Sequence, residues 1–124
     1  MRDALPLQLL LAFAVAGPAA AAGPSPGRYQ ATLCVSASAS SPPSCGPAEL
    51  EVRSGTRADV RVADIVYRLH LRPDQVDVAT MHGRMQIDEF SAEYAWRDGI
   101  LTFLDAEKQA RYEVRPGARV AGGR

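Results

Sequence analysis

The chain is predicted to be all-β, a small antiparallel meander of about eight strands forming a flattened barrel or sandwich with one disulfide. Three observations carry this. Across residues 29–114 apolar side chains recur at every second position, and turn-forming residues interrupt that alternation at short intervals. No stretch keeps an unbroken helical stripe, and residues 106–110 offer at most one turn.

The N-terminus is read as a cleaved signal peptide spanning residues 1–22. Arg2 precedes an apolar run from Leu5 to Val15, followed by Gly17-Pro18 and the small residues Ala19 to Ala22. A membrane anchor would need about twenty apolar residues and a basic far flank, and neither is present. No cysteine follows the expected cut to carry a lipid. The single small β-domain is then expected over residues 23–115, with 36–46 as a low-complexity loop and 116–124 as a flexible Gly-rich tail.

Export makes Cys34 and Cys45, the only two cysteines, a disulfide pair. The spacing is wrong for a Cys-x-x-Cys redox or metal motif. The expected address is periplasmic or secreted, and the arginine-rich, Ala/Gly/Pro-rich composition suits a GC-rich bacterial genome. Asparagine is absent, so there is no N-glycosylation sequon.

Fourteen basic and fourteen acidic residues give a formal net charge of zero. Nucleic acid and anionic membranes both select a concentrated positive excess, so neither is the expected partner. No Gly-x-Ser-x-Gly elbow and no phosphate-cradling glycine loop occur. Asp88-Glu89 is a poor glycosidase pair, because neighbours on a strand point to opposite faces. No enzyme activity and no cofactor are expected.

Turns set the register, because a one-residue slip would turn every apolar side chain to the other face. Asp98-Gly99 as a tight loop pairs Trp96 with Leu101 and Tyr94 with Phe103. A three-residue loop at Ser54-Gly55-Thr56 sets Val52 against Ala58 and Leu50 against Val60. Pro73-Asp74 pairs Leu71 with Val76 and Leu69 with Val78. His82-Gly83, taken as the next two-residue loop, sets Val78 against Ile87 and Thr80 against Met85. The expected core therefore includes Leu69, Val78, Ile87, Tyr94, Trp96, Leu101 and Phe103. A switch of apolar parity between Glu89 and Ala92 predicts a bulge or corner near Phe90-Ser91.

The same register sets His70 opposite Asp77, and Asp77 opposite Asp88, on the outer face. Opposed carboxylates repel unless neutralised, so this trio is a candidate acid/base or metal site, against the plainer reading of a solvated charge ladder. Met81, His82 and Met85 offer thioethers and imidazole suited to monovalent copper, although alternation puts the two methionines on opposite faces. Arg68, Arg84 and Arg97 are the candidate interaction residues, since arginine is favoured in interfaces.

In architecture such a barrel is similar to periplasmic lysozyme inhibitors and other calycin-like binding barrels; no motif carries residues over from them. The resemblance implies a non-catalytic binding or inhibitor-like module whose partner is another envelope or extracellular protein. The alternatives are a periplasmic metal or small-ligand carrier using the histidine clusters, and an accessory subunit of an envelope assembly.

Overall fold

The computed structural model describes residues 23–38 and 40–120. The expected signal peptide lies outside the described residues. Among the described residues nine antiparallel strands form one sheet: β1 (Gly27–Ser36), β2 (Ser44–Val52), β3 (Arg57–Val62), β4 (Ile65–Leu71), β5 (Val76–His82), β6 (Met85–Ala92), β7 (Tyr94–Arg97), β8 (Ile100–Asp105) and β9 (Ala110–Arg119). Their order is β6-β5-β4-β3-β2-β1-β9-β8-β7, so the two edges are consecutive in sequence. Only Glu93 separates them. β6 and β7 are two halves of one bent strand, the first paired with β5 and the second with β8. Counted that way the nine strands make eight staves of a nearly closed up-and-down barrel.

Three of the four turns set the pairing expected from their residues. Val52 faces Ala58, Leu71 faces Val76, and Trp96 faces Leu101. At the tightest of them Asp98 and Gly99 both hold positive φ, 54° and 80°, as a type I′ hairpin requires. Inward side chains from every stave then form one core, with Leu50, Val60, Val76, Val78, Leu101 and Val114 almost wholly removed from water. Leu69 and Phe103 are buried as expected, and Tyr94 and Trp96 pack half-buried against that core.

The β5–β6 hairpin departs from expectation. His82 pairs with Met85, so the loop is Gly83-Arg84 and not His82-Gly83. A glycine with φ of 63° serves a tight loop at its first position as well as at its second, and the dipeptide alone does not choose. The bulge also comes early: Met81 faces Gln86 but Thr80 faces Asp88, which leaves Ile87 without a partner. Val78 therefore faces Phe90. Ile87, expected in the core, is 51% exposed, while Phe90 turns inward and stacks on Tyr112 with ring centroids 5.8 Å apart. The larger ring takes the inside position, which releases more apolar surface from water than the smaller side chain would.

Two further boundaries move. β9 continues to Arg119, paired with β1, so residues 116–119 belong to the sheet rather than to a tail. β2 begins at Ser44, inside the span expected to be loop. Cys34 and Cys45 are directly opposed on β1 and β2, with Cα atoms 4.0 Å apart, and form the disulfide. A disulfide of this kind persists in oxidising compartments.

Candidate functional site

The barrel's seam is where β6 turns its unpaired edge toward β8, and side chains rather than a backbone ladder close it. Phe90 from β6, Phe103 from β8 and Tyr112 from β9 stack across the gap, with Phe103 and Tyr112 centroids 5.0 Å apart. Tyr67 meets Tyr112 edge-on at 5.8 Å. Above the rings Lys108, on the β8–β9 turn, donates to Asp88 Oδ2 at 2.6 Å and to Asp105 Oδ2 at 3.3 Å. Asp105 is buried to 1% exposure and also accepts the amides of Glu107 and Lys108, so it shapes the turn that presents the ammonium. At the other end of the seam the Tyr94 hydroxyl donates to the Arg72 carbonyl at 2.7 Å.

The electrostatics follow from these contacts. The Lys108 hydrogen bond holds Asp88 below the ordinary carboxylate range, with help from the Glu89 amide. Reciprocally, the bond to Asp88 holds Lys108 above its ordinary value. Burial pushes the Tyr67 and Tyr112 phenols up, and for Tyr112 the nearby Tyr67 and Asp105 add to it.

The metal-site trio comes apart. His70 does face Asp77, but Asp77 faces Ser91, and Asp88 faces Thr80. Asp77 accepts from Ser91 Oγ at 2.7 Å, Gln75 Nε2 at 2.9 Å and Arg72 Nε at 2.6 Å. Those bonds, Ser91's foremost, hold its carboxyl at about 2. It serves as a staple tying the β4–β5 turn to β6, with three of its roughly four acceptor sites occupied. Among the described residues no three His, Cys, Asp or Glu side chains converge as a metal site. In the other cluster Met81 is buried to 8% and pairs with Gln86, whereas His82 and the 66%-exposed Met85 are cross-strand neighbours.

The larger concavity lies outside the barrel. A cleft of about 1050 Å³ runs over the bend at Glu93 and the outer face of β7–β9, lined by Glu93, Ala95, Arg97, Leu104, Arg111 and Glu113 among others. A smaller one of about 350 Å³ adjoins it at Leu104, Ala106 and Arg111. Of the three arginines singled out from sequence, Arg97 lines the cleft. Arg68 stands in the middle of β4 opposite Asp59, and Arg84 sits at the β5–β6 hairpin tip. Arg111 and Glu113 had no sequence signal, because their place depends on β9 lying beside β8.

Comparison with protein-family models, with curated proteins and with solved structures finds no match.

Proposed function

We propose that the protein is a non-catalytic, inhibitor-like binding module of the periplasm or extracellular space that holds another envelope or extracellular protein in its outer cleft. One observation carries this reading. Inward side chains fill the barrel into a continuous core, while the roomy concavity is on the outside, where Arg97 and Arg111 alternate with Glu93 and Glu113 around the apolar Ala95 and Leu104. Mixed charge around a small apolar centre suits a protein surface, with arginine supplying the anchoring contacts. The test is partner capture with the purified protein and its Ala95→Trp variant, in which an indole occupies the middle of the cleft. A specific partner is expected to be retained by the first and lost by the second; equal retention counts against the cleft.

A second reading, a metal or small-ligand carrier, draws support from His82 and Met85 facing each other at an exposed hairpin end. Native mass spectrometry in the presence of monovalent copper tests it, with His82→Ala as the control. A third, an accessory subunit, draws on the edge of β6 that no strand pairs and only side chains cover at the seam, since an edge without a ladder favours association.

A further inference from the structure

At the end of the barrel opposite the disulfide, residues 23–26 lie across the mouth as a strap. Their sequence is Gly-Pro-Ser-Pro. The two prolines fix φ near the polyproline value and bias the residues before them to extended backbone, so the segment is stiff and carries its carbonyls outward. Three side chains of the barrel receive it. The Tyr29 hydroxyl donates to the Ser25 carbonyl at 2.6 Å, and Arg119 Nη2 donates to the Pro26 carbonyl at 2.6 Å. Arg119 Nη1 reaches Ser25 Oγ at 3.2 Å, and the guanidinium lies over the Tyr29 ring at 5.6 Å. Gly23 comes so close to the indole of Trp96 that a Cβ there would sit 2.5 Å from the ring.

An aromatic floor, a hydroxyl and an arginine that donate to successive backbone carbonyls, and a glycine-sized gap over an indole are the chemistry that recognises proline-rich extended peptides. We infer that the Trp96–Tyr29–Arg119 mouth is a binding site for an extended Gly-Pro-x-Pro peptide, held occupied by the chain's own residues 23–26. The two shortest contacts, to Ser25 and Pro26, are to backbone carbonyls, so a partner peptide reproduces those two without sharing the serine. The site is separate from the outer cleft and does not depend on it. Tethering gives the strap an effective concentration in the millimolar range, so a free peptide displaces it only above about that level.

Trp96 is the only tryptophan, so its emission reads the mouth directly. The experiment titrates synthetic Gly-Pro-Ser-Pro, with Gly-Ala-Ser-Ala as control, into the purified protein and into its Gly23→Leu variant. Leucine cannot fit over the indole, so the variant's emission is expected to shift on its own. Added Gly-Pro-Ser-Pro then reverses that shift saturably, at least about tenfold below the level needed in the parent. Adding Tyr29→Phe, which removes only a hydroxyl, or Arg119→Gln raises the half-saturation point about fivefold. Unchanged emission in Gly23→Leu would show that the strap is not seated on Trp96. A shifted emission that the peptide does not reverse, or that the alanine peptide reverses equally, would overturn the peptide site.

Discussion

Replacing Phe90 by alanine removes the ring that β6 contributes to the seam. A fully buried Phe→Ala change costs about 3–5 kcal/mol, and the aromatic pairing adds about 0.5–1.5 kcal/mol. Phe90 is half-buried, with one face on Phe103 and Tyr112, so roughly half the full cost is expected, about 2–3 kcal/mol. That is a large share of the stability of a small domain. Urea unfolding measures the total, and amide hydrogen exchange locates it: β6 amides are expected to open faster while those of β1 and β2 follow the global change. Ile87→Ala is the partner variant. Half-exposed and unpaired at the bulge, it is expected to cost under about 1 kcal/mol. Under the register read from sequence the ranking would be reversed, with Ile87 inside. A costly Ile87→Ala beside a neutral Phe90→Ala would therefore refute both the bulge position and the closure of the seam by rings.

Other consequences are open to measurement. Opening the Cys34–Cys45 bridge, whose cysteines are 11 residues apart, is expected to lower stability by about 3 kcal/mol and Tm by about 15 °C, read by thermal unfolding with and without reductant. The Asp77 carboxyl is held at about 2, below its ordinary 3.8. Its contribution is present above pH 4 and disappears as pH falls through about 2, so the gap in urea midpoint between the parent and Asp77→Asn should be steady above pH 4 and close toward pH 2. Lys108→Met should let the Asp88 pKa rise toward the ordinary carboxylate range, visible in carboxyl chemical shifts, with faster exchange of β6 amides.

How far the sequence reaches depends on how much of a feature is local. Asp98-Gly99 and Pro73-Asp74 specify their own loops, and the apolar alternation on both sides leaves one register, so those hairpins are legible from a few residues. At His82-Gly83-Arg84 two loops satisfy the glycine, and the choice is made by Phe90 finding Phe103 and Tyr112. The opposed Asp77 and Asp88 were a product of the wrong loop. The Lys108 bridge joins residues 20 apart in sequence across an edge with no backbone ladder, and periodicity carries no trace of such a contact. Residues 116–119 read as a tail because Pro116 and Gly117 are poor strand formers, yet pairing with β1 holds them in the sheet. Gly-Pro-Ser-Pro reads only as the first residues after the expected signal-peptide cut, since its seat on Trp96 is set by the far end of the chain's bent strand.

The central claim is that the outside of this barrel, and not its interior, does the binding. Native mass spectrometry of the protein purified without chelators, beside Ala95→Trp, tests it most directly. The account predicts that the chain itself carries no small adduct, and that a protein complex present for the parent is absent for the variant. A metal or small-molecule adduct that survives Ala95→Trp and is lost with His82→Ala would contradict it and establish the carrier in its place.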